Sequence, residues 1–191
     1  MNVADAIRVG LILGRVAGEV WAIFAASILV HELGHALAAR LLRVPVRRVV
    51  VGVGPSLLRL GRLDLRLLPA LGLVDVAGGL HSLDQRRRAL IATAGPAGSA
   101  ALGIGLVGAS LVSTGHAAAV ARAVGAMNVG IAGFNLLPIP LLDGWHVVER
   151  YVLRLLRVQP GEAQRLVAHK IGATVLLAFP LAAIIVGHLG K

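Results

Sequence analysis

The sequence predicts a mainly α-helical membrane protein with about four transmembrane helices and a small β-sheet. Three observations lead there. Of 191 residues, 57% are hydrophobic, and the mean hydropathy is +0.84, well above that of a soluble domain. Charged residues make up only 15%, and they fall in clusters between apolar stretches. Several of those stretches reach the ~20 residues that cross a bilayer as a helix. The length suits one polytopic domain spanning 1–191.

In chain order, the first expected span is 19–40, with Glu32 its one internal charge. Residues 1–18 carry Arg8 and Arg15, so they are expected to extend this helix or form a separate interfacial turn. Ala25-Ala26-Ser27 would suit a cleaved signal peptide, but the apolar run continues beyond it, which favours a retained helix. The second span, 89–112, contains no charge, and the third, 123–142, stops at Asp143. The fourth is 171–187, short and uncharged.

The connections carry the basic residues. Nine arginines against three aspartates lie in 43–88, and four arginines with Lys170 lie in 145–170. The intervening loop around Ser113–His116 has neither Lys nor Arg. By the positive-inside rule both basic connections face the cytoplasm and both termini lie outside, in a multi-pass protein of the cell membrane. A net charge of +10 raises nucleic acid as a partner, but aromatic residues are only 3% of the chain, and the arginines follow topology. No nucleic-acid partner is expected; the partner the composition implies is the lipid bilayer.

Within the first connection, Val46–Val53 is valine-rich and Leu63–Leu67 alternates with period two, punctuated by glycines. This predicts a β-rich segment over 44–80 at the cytoplasmic membrane boundary. After Asp143, apolar residues recur at helical spacing between charged ones, predicting an interfacial amphipathic helix over 145–158.

The chemistry begins with His31-Glu32-Leu33-Gly34-His35, an H-E-x-x-H motif. Residues four apart share one helix face, so both imidazoles reach one metal ion, with Glu32 beside it to take a proton from water. This chain's His and Glu frequencies give a chance expectation of about 0.005 such motifs. A buried polar cluster is the plainer alternative, but ionisable residues inside a span are by default functional. With no cysteine in the chain, a metal must be held by His, Asp or Glu. A catalytic zinc takes three protein ligands and keeps one position open. Asp143 is the candidate third ligand, because Pro138 and Pro140 should unwind the chain before it and turn it back. It equally suits the plain end of a span.

Together, His31-Glu32-Leu33-Gly34-His35 and Asn135-Leu-Leu-Pro138-Ile-Pro140-Leu-Leu-Asp143-Gly144 resemble the paired signature of the site-2 protease family, intramembrane zinc metalloproteases of peptidase family M50. Lesser features are similar. Val51–Pro55 resembles the family's glycine-rich strand, and Leu68–Gly72 resembles a degenerate Pro-x-Gly-Gly segment. Ala94–Ser99 resembles its Gly-Pro-x-x-Asn segment, with Ser99 where Asn is usual. The likeness covers about residues 20–146 and is to the compact form, without a PDZ or CBS domain.

The resemblance implies that His31, His35 and Asp143 ligate one Zn2+, and that Glu32 is the general base. It implies that Asn135 helps stabilise the oxyanion. It also implies cleavage of a transmembrane protein substrate, of which an anti-sigma factor or another regulatory membrane protein is the kind the family suggests. The departures at Ala70-Leu71 and Ser99 bear on accessory contacts. His146 is a candidate partner for Asp143, and the other histidines suit loops or span ends. The competing reading is a catalytically silent zinc-binding scaffold or metal carrier. A carrier would need further ligands along a path, whereas one compact set is present. A silent enzyme would be expected to lose Glu32.

Overall fold

A computed structural model describes residues 2–157, 161, 164, 166–168 and 170–174. Helix α1, Val3–Leu41, opens on a capping box in which Asn2 Oδ1 accepts from the Asp5 backbone N–H at 2.8 Å and Asp5 accepts from Asn2. Residues 3–18 therefore continue the first span. At about 58 Å, the 39-residue helix is nearly twice the hydrocarbon core. The exposed Arg15–Glu19 pair, 2.8 Å apart, and Arg40 in the last turn bracket its apolar part.

Strands β1 (Val46–Leu60) and β2 (Leu63–Val76) form an antiparallel ribbon that folds over on itself. Val49, Val50 and Val51 each have two partners: Leu63, Asp64 and Leu65 on one side, and Val74, Leu73 and Gly72 on the other. Gly52 and Gly54, with φ of 95° and 87°, permit the bend in β1 that this needs. The ribbon lies along α1 itself. Val51 packs on Ala25 and Ile28, while Val49, Val74 and Val76 pack with Ala39 and Ile91. Trp21 Nε1–H donates to the Leu67 carbonyl at 2.6 Å. The sheet thus lies beside residues 21–39 of α1, part of a helix long and apolar enough to cross a membrane.

After a short 3-10 turn, Leu80–Ser82, α2 runs from Gln85 to Val112, capped by Asp84, whose carboxylate accepts from Arg86 N–H and Arg87 N–H. Helix α3, Gly115–Asn135, starts eight residues before the expected 123 and ends seven before the expected 142. Pro138 and Pro140 account for the early stop, since neither offers an N–H to continue the helix. The irregular turn that follows leads into α4, Asp143–Leu155. Only 171–174 of the expected fourth span is described, and those residues are helical; 175–187 lies outside the described residues.

Helices α1, α2 and α3 are each long and apolar enough to cross a membrane, as befits a multi-pass membrane protein. Small residues let them approach closely. A Cβ on Gly34 would collide with the Ala94 carbonyl of α2. One on Gly103 would lie 2.7 Å from the Gly125 carbonyl of α3. Ser27 and Asn128, both fully buried, add a 3.0 Å hydrogen bond between α1 and α3.

Candidate metal centre

Helical spacing puts His31, Glu32 and His35 on the buried side of α1, each less than 10% exposed. Donor atoms of all three lie within 4.8 Å of one another. The unwound turn after α3 returns Asp143 to this cluster. Its Oδ2 lies 3.1 Å from His31 Nε2 and 3.4 Å from His35 Nε2. Residues 31, 35 and 143, separated by up to 112 positions, thus present three donor atoms to one point.

The opposite edges of both rings are engaged. His35 Nδ1 lies 2.7 Å from the Ile91 carbonyl. A carbonyl only accepts, so in the neutral ring Nδ1 holds the proton and Nε2 keeps its lone pair toward Asp143. His31 Nδ1 is hydrogen-bonded to Ser99 Oγ at 2.9 Å, and Ser99 is fully buried. The two rings meet edge to face with centroids 4.9 Å apart. Gly95 leaves the room in front: a Cβ there would strike His35 Nε2 and come within 2.8 Å of His31 Nε2. Two oriented imidazoles, a carboxylate and a cleared space suit a tetrahedral divalent ion such as zinc.

A cavity of about 710 Å3 opens onto this cluster, walled by Phe24, Ile28, Ile131 and Phe134 and by residues 69–74 of β2. Gly72 faces Glu32 so closely that a Cβ would collide with its carboxylate. Asn135 lines the same cavity, but its Nδ2–H donates to the Ile131 carbonyl at 2.9 Å, one turn back. Its amide therefore stands outside the donor cluster. His146 also lines the cavity; its Nδ1 lies 3.6 Å from Glu149.

One buried pair escaped the sequence reading. Arg88, counted there among topology-setting arginines, is 7% exposed and lies 3.4 Å from Glu149, 6% exposed. It joins the first turn of α2, three residues before Ile91, to α4, six residues after Asp143. The signal in the sequence is a carboxylate, Glu149, set beside Arg150 and Arg154 in the body of α4.

The sequence pattern of peptidase family M50 matches residues 20–121, a little over half the chain, including the H-E-x-x-H helix. The chain belongs to this family. A protein of Clostridium perfringens (strain 13 / Type A) named "Putative zinc metalloprotease" is 40% identical over 68 residues. Those residues are 34% of this chain and 20% of that protein, so the chain matches a fifth of its relative. A site-2 protease from Methanocaldococcus jannaschii shares the fold, with a TM-score of 0.56 over 88% of this chain and 67% of the other at 22% identity.

Proposed function

We propose that this M50 protein is an intramembrane zinc metalloendopeptidase that cuts a transmembrane segment of another membrane protein. The convergence of His31 Nε2, His35 Nε2 and Asp143 Oδ2 beside Glu32 carries this reading. These three residues would hold the metal. Zinc in such a site supplies Lewis-acid polarisation of a carbonyl and lowers the pKa of water to about 7.

The chain's own groups do the rest. Glu32 takes the proton from the attacking water as its oxygen bonds to the scissile carbon, then passes that proton to the departing amine as the C–N bond breaks. Asn135 steadies the oxyanion once its amide leaves the Ile131 carbonyl, a donor whose loss costs about 100- to 1,000-fold in rate. A substrate helix must unwind to offer a carbonyl. Residues 49–51 already have partners on both sides, so strand addition belongs to residues 71–73 of β2, which line the cavity beside Glu32. The basic connections support a centre toward the cytoplasmic side of the cell membrane, and a regulatory membrane protein is the substrate class considered.

The test is cleavage of a co-reconstituted single-span substrate, with zinc content measured in parallel. Glu32→Gln should retain zinc and lose cleavage, and Asp143→Asn should lose both. Undiminished cleavage by Glu32→Gln would overturn the mechanism. Zinc binding by the wild type without cleavage of any single-span substrate would favour a scaffold or carrier.

A further inference from the structure

On the side of α1 turned away from the metal centre, a groove of about 950 Å3 opens between the last turns of that helix and the start of β1. At 100° per residue, Leu33, Leu37 and Arg40 point opposite to His31, Glu32 and His35. The groove's wall is apolar, with Leu33 and Leu37 contributing, and its rim carries Arg40, Arg43 and Arg62. Among the described residues, no acidic one lines it.

The three arginines are built into place. Arg62 Nη1–H donates to the Val46 carbonyl at 2.8 Å, which holds its guanidinium at the rim. Arg43 has φ of 57°, at a helix end where glycine is usual. The chain turns back there, with Arg43 N–H donating to Arg40 O and Val44 N–H to Ala39 O. This sets Arg43 beside Arg40 despite the steric cost of a side chain in that conformation. Three like charges repel, and none of them makes an ion pair among the described residues. By contrast Arg48, Arg59 and Arg66 gather around Asp64. An anion is what the rim lacks.

Leu33, Leu37 and Leu41 lie at i, i+4 and i+8 and are 49%, 60% and 75% exposed, a stripe running along the spanning helix to the arginines. We propose that this groove binds one anionic phospholipid, its phosphate held by Arg40, Arg43 and Arg62 and an acyl chain laid along Leu33 and Leu37. The apolar stripe on the membrane-facing side distinguishes a lipid from a free phosphate. Its position behind the catalytic face of α1 distinguishes it from a substrate peptide. The bound lipid ties the end of α1 and the start of β1 to the membrane boundary, holding the H-E-x-x-H helix at a set depth.

Native mass spectrometry of the full chain in neutral detergent tests this with phosphatidylglycerol, phosphatidylcholine, inorganic phosphate and glycerol 3-phosphate as probes. The wild type should retain one phosphatidylglycerol in preference to phosphatidylcholine. The R40Q/R43Q/R62Q variant should bind it about a hundredfold more weakly, each arginine contributing roughly tenfold or less. The charge-matched variant R86Q/R154Q/R157Q, altered at exposed sites elsewhere, should bind it as the wild type does. Leu37→Asn, a surface change that leaves charge and helix intact, should weaken lipid binding too. Equal loss in both triple variants, no preference over phosphatidylcholine, or unchanged binding by Leu37→Asn would each overturn the proposal. So would displacement of the lipid by inorganic phosphate or glycerol 3-phosphate at equal concentration.

Discussion

His31 and His35 differ in how firmly they are held. The Ile91 carbonyl that orients His35 is part of the backbone of α2 and cannot turn away. His31 depends on a single hydroxyl, that of Ser99, to set its ring. Losing such an outer partner typically costs 10- to 100-fold in metal affinity or activity. Ser99→Ala should therefore weaken zinc binding by about that factor at unchanged helical content, as a competition titration with a chromophoric chelator would read. Ser99→Asn, restoring the residue the family usually places there, tests whether a longer amide can replace the hydroxyl. The H-E-x-x-H motif was legible because its spacing is local. The partner of His31 was not, because 68 residues separate it from Ser99.

Asp143 reaches the histidines through the short turn between α3 and α4. Leu141 there has φ of 88°, strained for a leucine, and the start of α4 is pressed onto the end of α3. A Cβ on Gly144 would collide with the Leu136 and Leu137 carbonyls. Gly144→Ala must therefore push α4 outward and carry Asp143 with it. Zinc content should fall while α1 to α3 stay helical, measured by metal analysis beside circular dichroism. The two prolines announce this break, but its direction depends on the close approach of two backbones.

The β-ribbon carries its own charge centre. Asp64 is buried, and the Ser56 hydroxyl, then Arg66 and Arg59, hold its carboxyl below the usual carboxylate range. A depressed pKa gives stability that is fully present above the unfolded value of about 3.9 and is lost as pH falls through the lower folded value. The ribbon should thus stay docked down to about pH 4 and loosen only in stronger acid. Trp21, bonded to Leu67, reports that docking. In a Trp145→Phe background, its fluorescence should change in this acid range, and Asp64→Asn should remove the acid step and lower stability at neutral pH. The alternation of residues 63–67 indicated strands. It could not show that 49–51 would be enclosed on both sides.

Across the molecule, glycine contacts let α1, α2 and α3 approach, while Arg88 and Glu149 join α2 to α4. Removing one partner of a buried pair leaves an uncompensated charge and typically costs about 3–5 kcal/mol, whereas replacing both with apolar side chains can be neutral. Arg88→Met alone should strongly destabilise the fold in detergent unfolding, and Arg88→Met with Glu149→Leu should recover most of the loss. Additive effects in that double-mutant cycle would show that the pair is uncoupled.

Hydropathy, the i, i+4 histidines and the paired prolines were enough to read a membrane-spanning helical protein with a candidate zinc motif, because each acts through the bilayer's thickness or a neighbouring helical turn. The meeting of Asp143 with the histidines, the Ser99 contact, the sheet lying along α1 and the Arg88–Glu149 pair depend on how separate elements pack. Packing follows from side-chain volume and backbone approach between distant residues, and no local pattern encodes it.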